Sequence, residues 1–327
     1  MATTVAQHAP RVAASALTAP KPAAAHPDLI WFNGKLVPWE SATVHVMTHA
    51  LHYGSSVFEG MRCYDTPRGP AIFRAREHVR RMRDSARLYR MELPDEEDLL
   101  AACRAVVREN DLKSAYIRPL AWRGVGSLSV NAIRHPVELM IAALPWGAYL
   151  GEDALEQGVD ACVSSWTRPA ANTIPTGVKA GGNYLSGQLI AMEADRLGFA
   201  EGIALDTSGT VSEGSGENLF LVRDGVIVTP PASSSILPGI TRDTVMVLAQ
   251  EHGLRVREER IPREALYAAD EAFFTGTAVE VTPVRSVDGV AIGAGTRGPV
   301  TAVLQRAFFA VVRGETSDER GWLTPVA

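Results

Sequence analysis

The segment Thr176-Gly177-Val178-Lys179-Ala180-Gly181-Gly182-Asn183-Tyr184 decides how the rest of the chain is read. A lysine is followed at once by Ala-Gly-Gly and then by a helix-like pattern. Small residues let another molecule approach the backbone closely. A lysine amine aimed at such a gap can condense with a carbonyl to a Schiff base. Taken alone, the segment also fits a solvated surface lysine beside a glycine turn. The balance moves with Glu213-Gly214-Ser215-Gly216-Glu217-Asn218-Leu219-Phe220. There a carboxylate, a Gly-Ser-Gly turn and an apolar strand place an acid in a tight bend.

Together the two stretches resemble the class IV fold of pyridoxal-phosphate enzymes. The resemblance continues through Ile227-Val228-Thr229 and Leu237-Pro238-Gly239-Ile240-Thr241-Arg242 and covers the chain from about Asp28 to its end. Within that class it is most similar to the bacterial branched-chain amino-acid aminotransferases. Val44-His45-Val46-Met47-Thr48-His49-Ala50-Leu51-His52-Tyr53-Gly54, Ser114-Ala115-Tyr116-Ile117-Arg118-Pro119 and Leu144-Pro145-Trp146-Gly147-Ala148-Tyr149-Leu150 carry the closer match.

The resemblance implies an α/β chain of the α+β type with two domains, a small α/β domain and a larger pseudo-barrel. The expected boundaries are a tail at 1–27, the small domain at 28–146, a linker at 147–157 and the cofactor domain at 158–327. It implies pyridoxal 5′-phosphate on Lys179, the catalytic residue, as an internal aldimine. Glu213 would pair with the pyridine nitrogen, and Tyr184 with the 3′ oxygen. Arg81, the amides of Ile240 and Thr241, and Thr277 would bind the phosphate. A planar guanidinium suits that role, although Arg81 also fits a solvated cationic face. Tyr116, with the amides of Thr277 and Ala278, would hold the substrate α-carboxylate, and Arg118 the second carboxylate of glutamate. Phe58, Trp146, Tyr149 and Tyr184 would form the aliphatic pocket, with Tyr53 and Val130 reaching in from a neighbouring subunit. The implied reaction is transamination of leucine, isoleucine and valine with 2-oxoglutarate. D-amino-acid and R-selective amine transaminases and aminodeoxychorismate lyase share the fold and stay open. Gly124-Val125-Gly126-Ser127-Leu128-Ser129 departs from the glycine-rich loop of the family, which leaves the order among aliphatic substrates open.

Composition is ordinary for a soluble globular protein. The chain has 327 residues, 46% hydrophobic and 21% charged, and a net charge of −5. That length suffices for two cores, and the acidic balance gives no general nucleic-acid surface. No apolar run reaches the roughly 18 residues a membrane span needs. Cys63, Cys103 and Cys162 form no Cys-x-x-Cys pair, so free thiols in a reducing cytoplasm are expected. The expected partners are amino acids and 2-oxo acids and a second copy of the chain. The resemblance implies a homodimer at least, with a hexamer as the larger alternative. Residues 1–27 are rich in Ala and Pro and lack acids. They read as a disordered tail, because they bury too little to offset ordering entropy, with a transit peptide as the alternative that composition leaves open.

Local patterns place the elements. Ile30 to Val37 is a hairpin about Asn33-Gly34, which supplies two positive φ angles. His45, His49 and His52 would share one face of a helix, but no acid or cysteine lies between them, so packing or a subunit contact is expected, not a metal. Phe73–Met91 holds a helix with Val79, Met82, Ala86 and Tyr89 as its stripe. A second follows Pro94-Asp95 with Leu99, Cys103 and Val106 inward. Strands are expected at 115–122, 137–144, 202–206, 211–214, 218–222, 226–229 and 271–277. Helices are expected from about Asn183, with Leu185, Leu189 and Met192, and at 242–253 and 300–312. The helix opened by Pro238-Gly239-Ile240-Thr241 presents free amides to an anion.

Overall fold

A computed structural model describes residues 26–146 and 152–327. The expected tail therefore falls almost wholly outside the described residues. Its last two positions belong to the fold, since His26 stacks on Trp39 with ring centroids 4.9 Å apart and Pro27 is buried.

The first sheet takes β1 (Leu29–Phe32), β2 (Lys35–Pro38), β3 (Ser56–Phe58), β4 (Met61–Thr66), β5 (Gly69–Phe73), β6 (Ala115–Arg123) and β7 (Val137–Pro145). The second takes β8 (Val159–Thr167), β9 (Glu201–Leu205), β10 (Asn218–Arg223), β11 (Val226–Thr229), β12 (Arg255–Glu258), β13 (Glu271–Gly276), β14 (Glu280–Val287) and β15 (Val290–Ala291). The last strand, β16 (Leu323–Pro325), returns to the first sheet and pairs antiparallel with β5. Residues assigned by sequence to the second domain thus complete the first sheet. Its order is β16-β5-β4-β6-β7-β1-β2, with β3 on β6; the second runs β12-β11-β10-β13-β14-β8-β9, with β15 on β14. All pairs in the first sheet are antiparallel, whereas β8 runs parallel to both β9 and β14, and β11 to β12.

The helices are α1 (His49–Tyr53), α2 (Ala75–Leu88), α3 (Glu96–Arg108), α4 (Glu152–Gln157), α5 (Tyr184–Leu197), α6 (Ile240–Glu251) and α7 (Pro299–Val312). The stripe Val79, Met82 and Ala86 of α2 and the stripe Leu99, Cys103 and Val106 of α3 are buried together against the first sheet. Asp95 caps α3, its carboxylate accepting from Asp98 N at 2.9 Å, which satisfies one of the unpaired first-turn amides. The second sheet is buried by Phe220, Phe273, Val245, Leu248, Leu304 and Phe308, which also meet Tyr64 and Phe73 from the first.

Residues 152–157 of the expected linker form α4, while 147–151 lie outside the described residues. Two expectations need correction. Residues 211–214 make no strand: Val211 bridges only Leu205, and the chain then bends, with Gly214 N donating to Glu217 O at 2.7 Å. His45 lies outside α1, so the three histidines share no helical face. His49 is instead buried between Ser55 Oγ at 2.7 Å and the Ser129 carbonyl at 3.0 Å. The helix expected from about Asn183 is present as α5, with Gly187, Ile190 and Ala194 buried and Leu185, Leu189 and Met192 exposed.

Candidate active site

Lys179 is fixed through its backbone before its amine is considered. Lys179 N donates to Ser85 Oγ of α2 at 3.0 Å, and its carbonyl accepts from Phe58 N at 3.0 Å. The small residues after it have a local cause: a Cβ on Gly181 would stand 2.2 Å from Ser56 Oγ. Bulk there would displace β3. Thus held, the half-buried Nζ donates to Tyr184 Oη at 2.7 Å.

Glu213 lines the same cleft. It is 5% exposed; Oε1 pairs with Arg168 at 2.9 Å, and Oε2 accepts from Asn218 Nδ2 and Leu237 N, both at 3.0 Å. Burial pushes its carboxyl up to about 7, although Arg168 and the Leu237 amide pull the other way. Gly239 permits the packing behind it, since a Cβ there would lie 1.9 Å from Asn218 Oδ1.

Arg81 reaches the cleft from α2. Its Nε and Nη2 donate to the two oxygens of Glu59 at 2.6 and 2.9 Å, and Nη1 donates to the Pro238 carbonyl at 2.8 Å. Glu59 is fully buried and also accepts from His78 Nδ1 at 2.7 Å. Burial alone would raise the Glu59 carboxyl; Arg81 and His78 outweigh it and hold it far below the usual range. Beside Arg81, α6 begins at the buried Ile240 and Thr241 without a side-chain cap. First-turn amides have no intrahelical acceptor, so they face the cleft as donors. Thr275 Oγ1, buried and without a partner, lines the cleft together with Thr277. A guanidinium, a helix N-terminus and threonine hydroxyls at one end, with an amine and an acid along the walls, fit a phosphate-bearing carbonyl cofactor with a ring nitrogen.

A second chamber of about 500 Å³ adjoins this cleft, sharing Lys179, Tyr184 and Thr277 with it. Phe58, Tyr116, Arg118, Trp146 and Ala278 line it. The Phe58 and Tyr184 rings lie 4.8 Å apart, as do those of Tyr116 and Trp146. Arg118 sits over the Phe58 ring at 4.8 Å and donates from Nη2 to Tyr116 Oη at 2.9 Å, while its buried Nε has no partner. Gly60 makes room for this hydroxyl, since a Cβ there would lie 2.0 Å from it. Tyr53 and Val130 stand away from the chamber, 47% and 81% exposed. Tyr149 lies outside the described residues. Glu59, Ser85 and Arg168 were missed by sequence reasoning. Asn218 was quoted without a role, and only its place beside Glu213 in the bend signalled one.

The family model for amino-transferase class IV matches residues 56–287. The chain belongs to the class IV aminotransferases. It is 59% identical to the branched-chain-amino-acid aminotransferase of Salmonella typhimurium over 301 residues, 91% of this chain and 97% of that one. The crystal structure of the Escherichia coli branched-chain amino acid aminotransferase superposes with a TM-score of 0.91 at 58% identity, covering 92% of this chain and 100% of that chain. The branched-chain amino acid aminotransferase from Thermobaculum terrenum, solved in its PLP-bound holo form, gives a TM-score of 0.87 at 38% identity, covering 92% and 99%. As in the expectation drawn from sequence, this class IV chain is a mixed α/β molecule built on two sheets.

Proposed function

We infer that this chain is a branched-chain amino-acid transaminase. It moves the amino group of L-leucine, L-isoleucine or L-valine to 2-oxoglutarate and uses pyridoxal phosphate as cofactor. The observation that carries the reading is the joining of two spaces at Lys179. One suits a phosphorylated ring cofactor. The other is an aromatic chamber with Arg118 at its side. The D-amino-acid, R-selective amine and lyase readings are not favoured by relatives that share 50–59% of their residues with this chain.

The residue roles are proposed on the same geometry. The bound cofactor supplies an electron sink for the electrons left when the substrate Cα–H bond breaks. Lys179 Nζ would accept that proton and pass it on, with Tyr184 Oη at 2.7 Å orienting the amine. Glu213 would pair with the ring nitrogen and keep it protonated. Arg81, the α6 amides and Thr277 would hold the phosphate. Tyr116, with the Thr277 and Ala278 amides, takes the α-carboxylate. Phe58, Trp146 and Tyr184 pack the branched chain, with Tyr149 added on the family resemblance alone, and Arg118 receives the distal carboxylate of glutamate. A chamber with only apolar walls would reject glutamate, because burying an unpaired charge is costly.

Tyr53 and Val130 serve the neighbour's chamber in a homodimer, a reading that their exposure supports. A trimer of such dimers is the larger alternative to the homodimer. The linker proposed between the small and the large domain is 147–157. Three buried free thiols support a cytoplasmic location, and no helix among the described residues is long and apolar enough to cross a membrane. The test is a parallel assay of L-leucine, D-alanine and aminodeoxychorismate with 2-oxoglutarate. Glutamate should form with leucine; turnover of only D-alanine or aminodeoxychorismate would refute the reading.

A further inference from the structure

Glu280 is a buried acid to which the roles above assign nothing, and it stands where chain geometry favours a glycine. It is 7% exposed and has φ 55°, the left-handed region that closes a three-residue hairpin turn. Gly276 and Glu280 are the last pair of β13 and β14, so residues 277–279 form the turn between them. A residue other than glycine keeps such a backbone only where its surroundings hold it there. Locally, Thr282 Oγ1 donates to the Val279 carbonyl at 2.6 Å. The rest of the hold comes from the other sheet. Tyr64 Oη of β4 donates to Glu280 Oε1 at 2.9 Å, and Arg62 Nη1, also on β4, lies 3.8 Å from the same oxygen. The Arg62 guanidinium sits over the Tyr64 ring at 5.0 Å, and its buried Nε and Nη1 have no hydrogen-bond partner, so Glu280 supplies the charge that opposes it. Burial, and then the Glu280 charge, push the Tyr64 hydroxyl well above its ordinary range, which keeps it a donor.

This tie joins the two halves of the α-carboxylate site. Tyr116 stands on β6 of the first sheet, opposite Arg62 in register. Thr277 and Ala278 belong to the turn that Glu280 closes, and they line the same chamber as Tyr116. A carboxylate held by both needs the gap between them fixed, because hydrogen bonds weaken steeply outside a narrow range of distance and angle. We propose that Glu280, anchored by Tyr64 and Arg62, is a positioning residue that sets the 277–279 turn against β4 and β6, and with it the spacing of the groups that receive the α-carboxylate. The substrate half of this inference rests on the transaminase reading, while the fixing of the turn does not. Glu280 itself lines neither the cleft nor the chamber, so its loss acts through the turn. Amides that hold the α-carboxylate alike before and during the reaction contribute uniform binding, and loosening them raises KM with kcat little changed.

Hydrogen exchange of the cofactor-free protein tests the tie. In Y64F and E280A the segment 275–282 should exchange faster, while β11 keeps its rate. Unchanged exchange in both variants overturns the tie whatever the substrate. Y64F keeps the Arg62–Glu280 pair and carries the test if E280A does not fold. Steady-state kinetics of the holoenzyme tests the positioning. Both variants should raise KM for L-leucine and for 2-oxoglutarate, by about 10-fold for a charged hydrogen bond, with kcat little changed. The double variant should be no worse than E280A, because both changes break one link. E280Q still accepts from Tyr64 and should restore the wild-type KM. Wild-type KM in Y64F and E280A, a loss confined to kcat or to the melting temperature, or E280Q as impaired as E280A overturns the positioning. If wild type forms no glutamate from leucine, the transaminase reading fails instead, and the exchange result still decides the tie.

Discussion

At the scale of single residues, the site depends on buried charges with named partners. Arg118 keeps one buried N–H unpaired and stacks over Phe58, which suits it to a substrate carboxylate. R118L should therefore slow the half-reaction of glutamate more than that of leucine, by about 10-fold or more if a charged hydrogen bond is lost. Single-turnover kinetics with each amino acid separates the two; equal losses would mean that Arg118 orients the common α-carboxylate. Glu213 makes a pH statement. Burial lifts it from 4.5 to about 7, so its contribution to the cofactor-free protein is complete below about 4.5 and is lost as pH rises to about 7. One pK step corresponds to about 1.4 kcal/mol, giving about 3 kcal/mol over this range. Melting curves between those pH values should show wild type losing more stability than E213Q, and parallel curves would contradict the assignment. Lys179 and Glu213 were legible because their neighbours in sequence form a long motif. Arg168 was not, because an arginine 45 positions before Glu213 carries no local sign that it will meet that carboxylate.

At the scale of elements, hairpins and helices were read well where chemistry forces the backbone. Asn33-Gly34, Asp224-Gly225 and Asp288-Gly289 all take positive φ, which such pairs tolerate. Strand β12 escaped notice because Arg255-Val256-Arg257-Glu258 is polar and mostly exposed, as the edge position allows. Strand β16 escaped because three residues after a long turn give no period. Helix α2 shows how an element delivers a side chain: its buried face carries His78 into Glu59, and Glu59 in turn aims Arg81. E59Q should release Arg81 and hasten cofactor loss, because breaking a buried pair costs about 3–5 kcal/mol. Dialysis against phosphate buffer measures this, and wild-type retention in E59Q would return Arg81 to a solvated role.

At the scale of the whole molecule, the exposed apolar residues Val46, Leu51, Tyr53, Leu128 and Val130 lie on α1, the segment before it and the 124–135 loop. Exposed patches of this kind mark interaction sites, and pairing of two copies would cover them. V130D should weaken dimers in light scattering and raise KM for leucine, whereas a fully active monomer would contradict the shared chamber. The sequence could not show this surface as such, because the two segments are separated by the strands and helices of the first sheet. The central claim is that Lys179 carries amino-group transfer from branched-chain amino acids. The most direct measurement is formation of L-glutamate from L-leucine and 2-oxoglutarate by wild type and K179A, each saturated with pyridoxal phosphate. Wild type should yield glutamate and the branched 2-oxo acid in equal amounts, and K179A should be slower by at least the roughly 10²–10⁴-fold that a positioned proton-transfer group contributes. Near-normal turnover in K179A, or no glutamate from leucine with wild type, would contradict it.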